Sequence, residues 1–165
     1  MGYFMSFLGV NWQIWSLSRW LNPSVLTSFI VYQRVQNLFQ WRADLLMANR
    51  LSDLADQHMF PWTIYLETDP VTVPTADAFA VAIGNFRDHM IARGTCRLVA
   101  KLSALDVPRN GRFRAWVSHF EMGRDESLVK ATRSIQFCQE TEAGIRTEMS
   151  QCWNCMIEDF SAISK

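Results

Sequence analysis

The side chain best suited to chemistry near neutral pH is a histidine set in an apolar, alternating stretch. His119 follows Phe113, Ala115 and Val117 at every second position. A neutral imidazole held among apolar groups can act as a general base or as a hydrogen-bond donor. A structural histidine near the end of a sheet would give the same pattern. Arg133 interrupts the row Val129, Ala131, Ile135 and Phe137, where a guanidinium could clamp a carboxylate or phenolate on a ligand. Its alternatives are an internal pair with Glu121 or Glu148, or an excursion to solvent. Tyr65 ends an apolar run and either donates a phenolic hydrogen bond into a pocket mouth or finishes the core edge. His119, Tyr65 and Arg133 are therefore the candidate ligand-pocket residues, with His119 the candidate proton carrier.

Other reactive residues give weaker signals. Cys152-Trp-Asn-Cys155 has the spacing of metal and redox pairs. Zinc takes four ligands, and no second pair at ligand spacing completes a set. Redox pairs of this kind open a helix beside a βαβ unit, whereas this one follows the last expected strand. His58 and His89 lack partners at ligand spacing, and Asp44, Asp53 and Asp56 fit solvated helix faces. No metal and no cofactor is expected.

Sixteen basic and sixteen acidic residues leave no net charge. Without a basic face to displace counterions, nucleic acid is not an expected partner. Four cysteines in 165 residues suit a reducing compartment better than a disulfide scaffold. The first residues lack a basic n-region, and no 18-residue apolar run could cross a bilayer. The expectation is a soluble, cytoplasmic protein.

Several elements must position these residues. Val35, Leu38, Phe39, Leu45 and Leu46 recur at helical spacing over 32–48, and a short second helix follows to Gln57. Residues 59–66 switch to strand-like types, with Pro61 suited to a first or edge position, and 71–73 form a short second strand. Thr75 is a good N-cap, and Phe79, Ile83, Phe86 and Met90 mark the next helix to Arg93, closed by Gly94. Strands are expected over 96–107, 112–121, 129–139 and 145–153. Asn110-Gly111 tolerates the positive φ of a type I′ turn. A two-residue turn there sets Arg109 opposite Arg112, hence Ala104 opposite Val117 and Leu102 opposite His119. Leu98, Ala100, Leu102, Ala104, Phe113, Ala115 and Val117 then share the face under the third helix. Lys101, Ser103, Arg114, Trp116 and Phe120 share the other, a mix of polar and aromatic groups that suits a homodimer contact.

Residues 1–31 read differently. Trp12, Trp15 and Trp20 fall loosely on one helical face, Arg19 is the only charged residue, and Asn22-Pro23 ends any helix there. An extra helix, sequence upstream of the true start and a membrane-surface segment are the three readings. The expected organisation is this extension, a domain over 32–153 and a tail over 154–165.

This element order, with Phe60-Pro-Trp-Thr-Ile-Tyr-Leu66, Asn110-Gly-Arg-Phe-Arg-Ala-Trp-Val117 and Gly144-Ile-Arg-Thr-Glu-Met149, resembles the nuclear-transport-factor-2-like, or SnoaL-like, superfamily. The resemblance implies an α+β fold in which N-terminal helices precede a strongly curved antiparallel sheet, forming a cone with an internal pocket. That superfamily holds isomerases, cyclases, dehydratases, dioxygenase small subunits and non-catalytic modules, so fold alone leaves function open. No match to the isomerase Tyr/Asp or dehydratase His/Asp pattern occurs, and no catalytic residue is carried over. Two expectations remain. One is a module binding a small hydrophobic molecule. The other is a cofactor-independent isomerase, cyclase or dehydratase working by acid–base catalysis.

Overall fold

A computed structural model describes residues 23–67 and 69–155; the expectations for residues 1–22 and 156–165 lie outside them. The chain divides into two compact units, Met1–Val35 and Gln36–Lys165. In the described part of the first unit the chain is helical from Pro23. The second unit holds all else discussed below.

Helix α1 spans Pro23–Met47, beginning nine residues before the expected start. Proline suits the first turn of a helix, where its missing N–H is not needed, so Pro23 marks a beginning. Asn49, at φ 59°, turns the chain into the short helix α2, Leu51–Ala55. Strands β1 (His58–Tyr65) and β2 (Pro70–Val73) follow, then helix α3 (Ala76–Ala92). Thr75 Oγ1 accepts from the Ala78 N–H at 3.2 Å, capping α3 as expected, and Phe79, Ile83 and Met90 are buried along one face. Gly84 lets α2 lie close: a Cβ there would stand 3.1 Å from Leu51 Cδ1.

Four long strands complete the unit: β3 (Arg97–Leu105), β4 (Arg112–Met122), β5 (Leu128–Thr141) and β6 (Gly144–Trp153). The six strands form one open sheet in the order β2-β1-β6-β5-β4-β3. The α+β class is the one anticipated, with one parallel pairing, β1 against β6, in an otherwise antiparallel sheet. The β3–β6 meander returns β6 beside β1 running in the same direction. Pro61 is not at an edge, since β1 lies between β2 and β6. It sits before the first β1–β2 pair and inside the break in the β1–β6 register, where no ladder needs its N–H.

The Asn110-Gly111 turn pairs Arg109 with Arg112, as expected. Beyond it the expected register fails: Leu102 faces Val117, not His119, and Ala104 faces Trp116, not Val117. Two single-residue slips separate the turn from the body of the hairpin. One lies beside Pro108, which cannot donate to a ladder, and the other is a bulge between Leu102 and Ala104. The first slip leaves Ala104 exposed rather than inward. The second restores parity, so Leu98, Ala100, Leu102, Phe113, Ala115 and Val117 are buried together.

The outer edge of β3 would be a row of unpaired backbone groups. Two glutamines of α1 cover it. Gln36 donates to Ala100 O (2.9 Å) and accepts from Leu102 N (2.7 Å), while Gln40 donates to Leu98 O (3.2 Å) and accepts from Ala100 N (2.9 Å). Four helical residues rise about 6 Å and two strand residues about 6.6 Å. The near match lets an i, i+4 amide pair imitate a neighbouring strand.

Candidate functional site

Between α1, α3 and the inner face of the sheet lies a cavity of about 140 Å³. Its apolar wall includes Phe39, Leu46, Trp62, Phe79, Ile83 and Met90. Each is delivered by the local periodicity of its element: α1 and α3 bury positions three and four apart, and β1 buries Trp62 and Ile64 at every second residue.

Of the three expected pocket residues, His119 alone lines this cavity. It sits on β4 between Ala100 and Thr132 of the neighbouring strands. Burial pulls its pKa down to about 4, so the ring is neutral at pH 7. No hydrogen bond joins it to any described residue. Tyr65 alternates with the buried Trp62 and Ile64 and is 44% exposed. Arg133 is also exposed, on the outer face, beside Ser118 and Trp153. Neither reaches the cavity, nor does Arg133 make either internal pair considered for it: Glu121 pairs with Arg93 and Glu148 with Arg112.

Strand β5 explains the discrepancy. Its apolar row of Ala131, Ile135 and Phe137 faces outward with Arg133, while Thr132, Ser134, Gln136 and Cys138 face inward. The inner row is polar and linked: Ser150 Oγ donates to Gln136 Oε1 (2.6 Å), and Gln136 Nε2 donates to Ser134 Oγ (2.8 Å).

Five further wall residues were not singled out as site residues from sequence. His58 packs at 4.4 Å from the Phe79 ring centroid and 5.2 Å from that of Trp62. Burial first, and the charge of Arg42 second, bring its pKa to about 3; the bond to Leu54 O opposes both. Because that carbonyl must accept, at 2.9 Å, the proton lies on Nδ1 and the lone pair on Nε2. Glu121 is 2% exposed and takes bonds from Arg93 Nε (2.8 Å), Arg93 Nη2 (2.7 Å) and Thr95 Oγ1 (2.8 Å). Arg42 is 6% exposed. Cys152 and Cys155 also line the wall as free thiols, and a mutual hydrogen bond together with burial pushes the Cys152 thiol well up. Among the described residues no cluster of three or more ligating side chains could hold a metal.

Similarity to solved structures defines the class. A domain of unknown function with a cystatin-like fold from Nostoc punctiforme has a TM-score of 0.59 and 9% identity over 75% of this chain and 76% of that one. An NTF2-like protein with a cystatin-like fold from Novosphingobium aromaticivorans scores 0.55, at 13% identity over 86% and 95%. A Catenulispora acidiphila protein solved in complex with S-DNPA scores 0.56, at 12% identity over 75% and 92%. The chain thus has the nuclear-transport-factor-2-like fold. At such identities the likeness speaks for fold alone. No family model and no curated protein matches the sequence.

Proposed function

We propose that this protein is a small-molecule-binding module whose ligand is a compact, largely apolar molecule held in the cavity against His119. The observation that carries this is a cavity walled by aromatic and aliphatic side chains in which a neutral imidazole has no protein partner among the described residues. A half-buried imidazole set among apolar side chains gains from a ligand group that completes its hydrogen bonding. The neighbour solved with a small molecule supports this reading by analogy of fold.

Acid–base catalysis on a hydrophobic substrate is the second reading, favoured by the same free ring. Two facts weigh against it. A base of pKa about 4 is far below the working pH at which proton transfer is most effective. The polarising groups it would need, Tyr65 or Arg133, do not line the cavity.

The apolar outer row of β5, with Trp116 and Trp153 beside it, supports a homodimer through the outer sheet face. Four free cysteines support a reducing, cytoplasmic setting, and no helix among the described residues is long and apolar enough to cross a membrane. Native mass spectrometry of the purified protein tests ligand and dimer together. The expected spectrum shows a dimer that loses a small organic molecule on activation and, after His119→Leu, retains less of it. A cavity that takes up no apolar probe would overturn the binding reading, and a monomer at micromolar concentration would overturn the dimer.

A further inference from the structure

We propose that the cavity selects, among small apolar molecules, those bearing a carboxylate or a similarly compact anionic oxygen, and that Arg42 is the residue that recognises it. This rests on the reading of the cavity as a ligand site. Arg42 comes from α1 at the helical spacing of Phe39 and Leu46, and lines the cavity with them. Its terminal nitrogens donate to neutral oxygens, Nη1 to Thr147 Oγ1 at 2.9 Å, Nη2 to Ile145 O at 2.8 Å and to Gln57 O at 3.2 Å, and the guanidinium also bonds the Cys138 thiol. Among the described residues no carboxylate forms an ion pair with it. Buried charges are ordinarily paired, because removing a lone cation from water is expensive.

Among the described wall residues no acidic group pairs with this charge, and the Phe39 ring, 5.2 Å from Arg42 Cζ, offers only its π face. Glu121 is neutralised by Arg93 and also accepts from Thr95. His58 and His119 are uncharged at pH 7. Cys138, which faces Arg42, stays a neutral thiol because burial raises its pKa more than the guanidinium lowers it. With Glu121 paired to Arg93 behind the wall, Arg42 is left as the one charged wall group, among the described residues, that no charge of opposite sign pairs. Two buried N–H groups, Arg42 Nε and Trp62 Nε1, also lack an acceptor, and both residues line the cavity. A carboxylate supplies both missing elements, negative charge and acceptor lone pairs. The volume limits the rest of the ligand: a cavity of about 150 Å³ accommodates benzene, so about 140 Å³ suits a single ring or a short branched chain.

The test compares two probes of one shape, 4-methylbenzoate and 4-methylbenzamide, titrated into the full chain at pH 7.5 by calorimetry or ligand-observed NMR. The acid is expected to bind at least about tenfold tighter, a difference of about 1.4 kcal/mol. Arg42→Gln should erase that preference while leaving the amide's affinity in place. Arg133→Gln, on the outer face, should leave the preference intact. Equal binding of the two probes, or tighter binding of the amide, overturns the selection for anions but not the cavity as a ligand site. A preference lost in Arg133→Gln overturns the assignment to Arg42. If neither probe binds, the cavity reading falls and this proposal falls with it. Should Arg42→Gln fail to fold, the wild-type comparison and the Arg133 variant still decide.

Discussion

Replacing His58 by phenylalanine should make the protein more resistant to mild acid. The folded-state pKa of about 3 lies below the ordinary 6.5, so between those values the unfolded chain binds a proton that the folded chain refuses. Stability is therefore complete above pH 6.5 and falls as pH drops toward 3. At pH 5 the unfolded imidazole is almost fully protonated and the folded one almost fully neutral. The linkage relation then gives a loss of about 2 kcal/mol relative to pH 8. Phenylalanine keeps the ring between Phe79 and Trp62. Leu54 O keeps a partner, because the Gln57 N–H also donates to it at 3.1 Å. The variant should thus match the wild type within about 1 kcal/mol at pH 8, as volume-conserving swaps do, and exceed it by about 2 kcal/mol at pH 5. Urea unfolding followed by tryptophan fluorescence at half-unit pH steps measures both. Parallel curves for the two proteins would mean that His58 titrates as in water, refuting the burial argument. His119, with a pKa of about 4, should contribute a similar loss over the same interval, so His58→Phe flattens only about half of the slope.

Two further outcomes follow from buried polar pairings. Gln36→Leu or Gln40→Leu should each cost about 2 kcal/mol, from two hydrogen bonds at about 1 kcal/mol apiece. Either should also raise the rate of aggregation measured by light scattering, because the β3 edge is uncovered; unchanged stability and solubility would show that water serves the edge as well. Glu121→Ala should destabilise by roughly 3 kcal/mol, because it removes the acceptor of Thr95 and the buried carboxylate that Arg93 grips with two nitrogens. The double variant with Arg93→Ala should cost less than the sum of the single ones, and an additive cycle would show that the pair is not coupled.

Much of this arrangement was legible wherever one face of a strand or helix differs chemically from the other. On β4, Phe113, Ala115 and Val117 contrast with Arg112 and Arg114, so alternation assigns the inward face and brings His119 with it. On α3 the spacing of Phe79, Ile83 and Met90 sufficed. The pairing on β3 was not legible, because nothing in Ser103 or Ala104 announces a bulge, and a slip beside Pro108 compensates for it two strand residues later. His58 could have been found: it shares parity with Trp62 and Ile64, although the register break in β1 obscures this. Arg42 lies three residues after Phe39 and four before Leu46, on the buried face of α1. A charged residue inside an apolar stripe reads as surface unless the depth of the stripe is known.

Strand β5 shows why the sequence points to Arg133 as a cavity residue although its side chain lies on the outer face. Its apolar side chains look like a core row, and Arg133 looks like an intruder in that row. The fold uses the opposite parity, turning Thr132, Ser134 and Gln136 toward the cavity and Ile135 and Phe137 away from it. A sheet inverted in this way leaves two unmet demands. The outer face carries apolar area that water does not favour, and the inner face carries polar groups that an empty cavity would leave poorly served. The linked Ser134, Gln136 and Ser150 meet part of the inner demand among themselves, whereas His119 on the neighbouring strand has no partner among the described residues. Polarity inverted on one strand is thus the common cause of apolar area on the outer sheet face and of a row of polar groups on the inner one.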